Sequence, residues 1–357
     1  MRKNIIISLM LGVIVSTVAF YFAFKNVPFD DLLSYVKSIN YLWILPSIAV
    51  ALISFILRAF RWQVILSTVR EINFWRAFNP MMIGFMINCI FPGRAGELAR
   101  PIILKKKDNV PFTTGLATVA AERMFDVSLL ITFFTVVLAF VRIDPDLNIT
   151  YGTYHLNREI LEAVGRGMLK LCLVLIAGII MISIAKIREI IIRLIINKIP
   201  MLFFGSSSVF KSKIRDKVCM PLVRVVENFA AGFSLVRHPQ KIAICVGLSF
   251  FVWGLSALSY YFMALGCPGI DLSFLEISAV MIIICFFIAL PSVPGFWGIW
   301  EAGGVFALSI FGVSSKAAAG MTLVNHAIQM FPVIIVGFIS AIVTGVNIWR
   351  VTYEREE

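Results

Sequence analysis

Arg94, Glu97 and Arg100 recur every three residues after Pro92-Gly93, so on a helix starting there they share one side. Glu122, Arg123 and Asp126 form a second charged cluster at the entry to the Val127 to Val141 helix, Glu301 follows Pro294-Gly295, and Asn88, Asn325 and His326 interrupt otherwise apolar runs. A guanidinium keeps its charge and matches phosphate oxygens with two parallel donors. Carboxylates beside it balance that charge or meet a cationic group. This chemistry suits an anionic ligand, with Asn88, Arg94, Glu97, Arg100, Glu122, Arg123, Asp126, Gly295 and Glu301 as candidate binding residues and Asn325 and His326 as weaker ones. A second explanation stays open: Glu122 and Asp126 neutralise Arg94, Arg100 or Arg123 and lock helices together.

Charges of this kind are unusual among such neighbours. The chain has 357 residues, 60% of them hydrophobic, and a mean hydropathy of +0.92, values that exclude an ordinary soluble domain and indicate an integral membrane chain. A charge at the bilayer centre costs roughly 2.5–3.5 kcal/mol on insertion scales. An ion pair 4 Å apart returns about 4 kcal/mol at an effective dielectric of 20, before desolvation is counted. Pairing therefore makes such residues tolerable without making them strongly stabilising.

The elements that must hold them are helices, because long continuous apolar runs fit helices and not a barrel. Ile5 to Phe24 and Tyr41 to Leu57 are uncharged; Val127 to Val141, Leu171 to Ala185, Ile242 to Ile270, Ile277 to Trp300 and Ala317 to Trp349 follow. An all-α polytopic bundle of six to eight membrane segments is expected, as one integral membrane domain over residues 1–357. Met1-Arg2-Lys3 before the first run reads as the start of an uncleaved helix, since no small-x-small site follows before Lys25. Arg58, Arg61 and Trp62 read as snorkelling anchors at the end of the second helix, leaving Arg61 a weak site candidate.

Two places break the spanning pattern. Ala77 to Phe91 ends in Pro92-Gly93-Arg94-Ala95-Gly96-Glu97, and Ala279 to Leu290 ends in Pro291-Ser292-Val293-Pro294-Gly295-Phe296-Trp297-Gly298-Ile299-Trp300-Glu301. Proline removes a donor and glycine permits a sharp turn, so each site should stop one helix and start another. Helix N-termini created at Gly93 and Gly295 would offer free N–H groups to an anion. Irregular backbone at membrane depth survives only inside protein or beside a wet cavity. If both breaks are re-entrant, they enter from opposite sides, the geometry of an inverted repeat with a central site. The plainer alternative is that each Pro-Gly turn caps an ordinary helix.

The net charge of +12 is expected to set orientation, not to bind nucleic acid. Arg58, Arg61, Arg70, Arg76, Lys105-Lys106-Lys107 and the stretch Lys186 to Lys241, with eleven basic against three acidic residues, should face the cytoplasm with both termini. Residues 186–241 read as a basic cytoplasmic connector with amphipathic helices around Gly205-Ser206-Ser207-Ser208. The six cysteines (Cys89, Cys172, Cys219, Cys245, Cys267, Cys285) and three histidines (His155, His238, His326) show no ligand spacing, and neither metal nor cofactor is expected. No GxxxxGK[ST] sequence is present, so ATP hydrolysis by this chain is not expected.

The ordered set Arg58-x-x-Arg61-Trp62, Asn88-x-x-x-Pro92-Gly93-Arg94-x-Gly96-Glu97-x-x-Arg100, Glu122-Arg123-x-x-Asp126 and Pro294-Gly295-x-x-Gly298-x-x-Glu301 resembles the lysylphosphatidylglycerol synthase transmembrane-region family, over nearly the whole chain. The late motif has Phe296 where the commoner form has a second glycine after Pro-Gly. The resemblance implies a stand-alone member without the soluble synthase domain. It also implies a flippase-like role in a bacterial or archaeal cell membrane, moving an anionic or aminoacylated phospholipid or a lipid-linked head group. In that role Arg94, Arg100 and Arg123 would hold the phosphate while Glu97, Glu122, Asp126 and Glu301 balance charge. An integral-membrane transferase acting on a lipid-linked donor, with Glu97 or Asp126 as general base, and a noncatalytic scaffold for a membrane enzyme partner are the alternatives.

Overall fold

A computed structural model of the protein describes residues 2–91, 94–140, 149–151, 154–156, 167, 170, 173–174, 177, 184–201, 218–232, 234–290 and 293–348. Its helices are α1 (Arg2–Phe24), α2 (Phe29–Ser38), α3 (Ile44–Leu66), α4 (Phe74–Ile90), α5 (Ala95–Asp108) and α6 (Phe112–Phe140) in the first half. The second half holds α7 (Ala185–Met201), α8 (Met220–Gly232), α9 (Pro239–Leu265), α10 (Phe274–Phe287), α11 (Ile299–Ile310) and α12 (Ser315–Thr344). The all-helical expectation holds apart from one short antiparallel pair, β1 (Ile149–Tyr151) with β2 (Tyr154–Leu156), in which Thr150 faces His155.

Helix ends follow local chemistry. Ser273 and Glu276 form a reciprocal capping box at the start of α10, Ser314 caps α12, and α9 opens on Pro239. Lys105, Lys106 and Lys107 fill the last turn of α5, where the helix dipole favours cations. Among the described residues, three single helices are long and apolar enough to cross a membrane: Tyr41–Leu66, Pro239–Leu265 and Ser315–Thr344. Gly12–Phe24 with Phe29–Ser38 forms a fourth, bent by 75°. α6, at 29 residues about 44 Å long, also exceeds a bilayer core of roughly 30 Å. The expected span at Leu171 to Ala185 falls largely outside the described residues, as do Pro92-Gly93, Pro291-Ser292 and Gly205 to Ser208.

The two halves repeat one another. In each, a long helix leads into a broken pair of short helices and then into another long helix: α3, α4–α5, α6 and α9, α10–α11, α12. Packing follows the same correspondence: α2 lies on α12 as α8 lies on α6, α4 on α12 as α10 on α6, and α5 on α6 as α11 on α12. The central contact is α3 against α9, and it is antiparallel: Asn40 N donates to Gly266 O, Ser47 Oγ to Ser259 O, Arg61 Nη1 to Ser249 Oγ and Lys241 Nζ to Ser67 Oγ. Equivalent helices running in opposite directions are what an inverted repeat requires.

Small residues allow these contacts. A Cβ on Gly96 would collide with the Gly84 carbonyl, so α4 and α5 touch backbone to backbone, the usual route to tight packing where lipid provides no hydrophobic drive. The open end of this hairpin lies beside the α3–α9 end marked by Ser67 and Lys241, because Arg70 contacts the Asp108 carbonyl and Arg76 pairs with Asp108 at 3.0 Å. The open end of α10–α11 lies at the other end, near Tyr35 bonded to Pro268 O and Lys316 paired with Asp31. The two broken segments thus enter from opposite ends of the bundle, and their tips meet in its interior.

Candidate functional site

Arg58 and Arg61 stand one turn apart on α3, as Glu122 and Asp126 do on α6, so each pair presents one face. The faces meet. Arg61 Nη2 lies 2.7 Å from Asp126 Oδ1 and 3.4 Å from Glu122 Oε1, and Arg58 Nη1 lies 3.5 Å from Asp126. Arg123 reaches Asp126 at 3.1 Å, Arg100 of α5 pairs with Glu122, and Trp253 Nε1 donates to Asp126 at 3.2 Å. The Arg100 guanidinium also covers the Trp62 ring at 4.0 Å.

Two expectations are corrected here. Arg58, Arg61 and Trp62 are not interfacial anchors: α3 runs on to Leu66, and Arg61 and Trp62 have no exposed surface. Nor do Glu122, Arg123 and Asp126 open a helix, since they sit near the middle of α6. The physical reason is the same for both: each charge meets its opposite, so the helices continue through the charged positions instead of ending there.

Beside this network is a cavity of about 230 Å³ between the two tips. Arg58, Arg94, Arg123, Glu97 and Asn88 line it from the first half, and Tyr260, Gly295, Phe296, Trp300, His326 and Gln329 from the second. Arg94 caps α5 in a left-handed backbone conformation, φ 54°, and its Nη2 donates to Ile288 O across the tips at 2.8 Å. Asn88 Oδ1 accepts from Gly96 N at 2.8 Å and ties the first break to α4. The Arg94 and Arg123 side chains keep 42% and 32% of their surface accessible, so these two present charge to whatever enters.

On the opposite wall, His326 Nδ1 is 2.6 Å from Glu301 Oε1 and its Nε2 is 2.8 Å from Gly295 O. The imidazole stacks flat on Trp300, 4.4 Å apart and 2° from parallel. Gly295 sits in a single 3-10 turn, Pro294–Phe296, and does not begin a helix. The N-terminus is at Gly298, whose N–H is taken by Glu301 Oε2 at 2.7 Å, so that donor is not free for an anion. The expected terminus at Gly93 lies outside the described residues.

The structure therefore separates the candidates. Asn88, Arg94, Glu97, Arg123, Gly295 and His326 reach the cavity; Arg61, Arg100, Glu122, Asp126, Glu301 and the buried Asn325 stand outside its lining. Sequence reasoning passed over Arg58, Tyr260 and Gln329, all in the wall. Two of these carried a signal: Arg58 lies three residues before Arg61, and Gln329 three after His326, the spacing of a polar face on a helix.

A family model described as the lysylphosphatidylglycerol synthase TM region matches residues 9–337. The chain belongs to the lysylphosphatidylglycerol synthase transmembrane-region family. Every cavity residue lies within that match. Among relatives, a UPF0104 membrane protein of Pyrococcus horikoshii is 25% identical over 297 residues, covering 81% of this chain and 83% of the relative. A UPF0104 membrane protein of Methanothermobacter thermautotrophicus is 24% identical, with 96% of this chain and 94% of the relative covered. The glycosyltransferase AglD of Haloferax volcanii is 23% identical over 76% of this chain, a match that spans only 43% of that protein. As a member of the lysylphosphatidylglycerol synthase transmembrane-region family with several membrane-crossing helices, the chain is an integral membrane protein.

Proposed function

We propose that the protein is a lipid translocase whose cavity takes the phosphate-bearing head group of an anionic or aminoacylated lipid, or a lipid-linked group, while the tails stay in the bilayer. The observation that carries this is a charge imbalance. Among the described residues, Arg58, Arg61, Arg94, Arg100 and Arg123 meet only Glu97, Glu122 and Asp126, and two of those arginines, Arg94 and Arg123, keep exposed surface in the cavity. Arg61 and Arg100 hold the inner carboxylates and leave Arg94, Arg123 and Arg58 to face an anion. Tips entering from opposite ends, with the cavity where they meet, support access from either side. The lysylphosphatidylglycerol in the family's description supports a lipid cargo, in keeping with the flippase-like role that the resemblance implies.

The test is movement of fluorescent phosphatidylglycerol between leaflets of reconstituted vesicles, read by reductive quenching from outside. Faster movement with wild type than with empty vesicles, abolished by Arg94→Glu with Arg123→Glu, is expected. Equal rates for wild type and the double variant would overturn the assignment. The transferase reading draws on the name of the Haloferax volcanii relative. Against it, Glu122 and Asp126 are buried and paired with arginines, leaving Glu97 as the one carboxylate among the described residues of the cavity wall; transfer of a labelled sugar by the purified chain would favour it.

A further inference from the structure

The hydrogen bonds of His326 count protons. Gly295 O can only accept, so at 2.8 Å the facing Nε2 must carry hydrogen. Nδ1, 2.6 Å from Glu301 Oε1, then faces a carboxyl oxygen across a gap too short for two lone pairs. Another proton must sit between them, either on the imidazole as imidazolium against carboxylate or on Glu301 as the neutral acid. The second Glu301 oxygen is held by Gly298 N, so the carboxyl cannot turn away without releasing that cap.

Removal of the shared proton leaves one hydrogen for two acceptors. The remaining hydrogen goes to the charged carboxylate, the stronger partner, and Nε2 then presents a lone pair to Gly295 O. That contact must open. Gly295 is the tip of the second broken segment: its neighbours are Phe296, against the Arg94 guanidinium, and Val293, whose N–H is held by Ser16 Oγ of α1 at 3.1 Å. We propose that Glu301 and His326 form a single proton-binding site whose proton pins the Gly295 tip to α12, and whose loss frees the tip to move at the cavity wall.

The charged and titratable groups facing this pair fix the field it works in. Arg58 of α3, Cys89 of α4, Arg94 and Glu97 of the first tip, Arg123 of α6, Tyr260 of α9 and Cys285 of α10 share the cavity, while α1 contributes the neutral Ser16. The inference stands on these contacts and does not require that the cargo be a lipid.

Hydrogen–deuterium exchange of the full chain in phosphatidylcholine–phosphatidylglycerol nanodiscs tests it, comparing wild type with Glu301→Gln at matched pH. The glutamine amide donates to Nδ1 and keeps Nε2–H on Gly295 O, locking the tip. Across a pH series wild type should pass from exchanging like the variant over Val293–Ala302 at the acid end to exchanging roughly tenfold faster at the alkaline end, while the variant stays slow throughout. Equal exchange throughout the series, or a difference that does not change with pH, would overturn the proposal. Nitrogen NMR of histidine-labelled chain carrying His155→Gln and His238→Gln reads the same site without altering it. An Nε2 lacking hydrogen at acid pH would overturn it equally. Neither readout needs lipid movement, so failure here and failure of the translocase reading are separate results.

Discussion

Arg94 and Phe296 each follow the Pro-Gly of one break, both adopt left-handed backbone at φ 54° and 62°, and the guanidinium of one lies 6.0 Å from the ring of the other. They are equivalent residues of the two halves meeting face to face. A non-glycine residue in that conformation carries about 1–2 kcal/mol of strain, and here the strain sits at the junction of the tips beside the cavity.

Relieving that strain should separate stability from transport. Arg94→Gly removes the backbone penalty but also the hydrogen bond to Ile288 O, worth about 1.5–3 kcal/mol for a charged donor, so the melting temperature should fall only slightly. Lipid movement should fall, because one of the two exposed charges of the cavity goes with the side chain. Phe296→Gly should keep movement and hold or raise the melting temperature. Equal transport by both variants would show that the Arg94 charge is not used.

The buried ion network makes a second prediction by its sign. Arg61 has no exposed surface and pairs with Asp126 at 2.7 Å. Arg61→Met should destabilise by roughly 3–5 kcal/mol, because Asp126 and Glu122 lose a buried partner. Arg61→Met with Asp126→Leu should recover part of the loss, since Arg100 and Arg123 still neutralise Glu122, while Arg58 loses its partner Asp126 and keeps the recovery incomplete. A thermal-unfolding double-mutant cycle checks this; additive losses would mean the pair is not coupled.

The breaks were legible in the sequence because Pro-Gly acts locally, and so was the grouping of Arg94 with Glu97. What the sequence hid is pairing at a distance. Arg61 and Asp126 are 65 residues apart, so Arg61 reads as an anchor until α6 is placed against α3, though the apolar Val64-Ile65-Leu66 that follows it signals that the helix runs on. Glu301 and His326, 25 residues apart, look like isolated polar residues until α11 folds back on α12. Three-residue spacing put Arg100 on the side of Arg94, yet Arg100 turns to Glu122 and Trp62, partners that periodicity cannot reveal.

Glycine substitutions should divide by what a methyl group would meet. Gly96→Ala drives Cβ into the Gly84 carbonyl and Asn88, so the α4–α5 hairpin must separate, at a cost of about 1–3 kcal/mol or more. Gly247→Ala in α9 meets nothing within 4 Å and should gain about 0.5–1 kcal/mol from helix propensity alone. Melting of the two variants in the same detergent reads the contrast. A tolerated Gly96→Ala would show that the hairpin packs more loosely than backbone contact demands.

The opposed entry of the two broken segments predicts sidedness. Asn109, just past α5, lies at the end of the bundle that also carries Arg70, Arg76 and Lys241; Asp271, just before α10, lies at the end that carries Asp30 and Asp31. The basic end should be cytoplasmic, because translocation disfavours loops rich in lysine and arginine. In a cysteine-free background, Asn109→Cys should resist a membrane-impermeant maleimide in intact cells and react after lysis, while Asp271→Cys should react in both. Asn109→Cys and Asp271→Cys labelled from the same side would refute the inverted arrangement. Opposite sides with the assignments exchanged would keep the repeat and reverse the orientation, placing the basic connector of residues 186–241 outside.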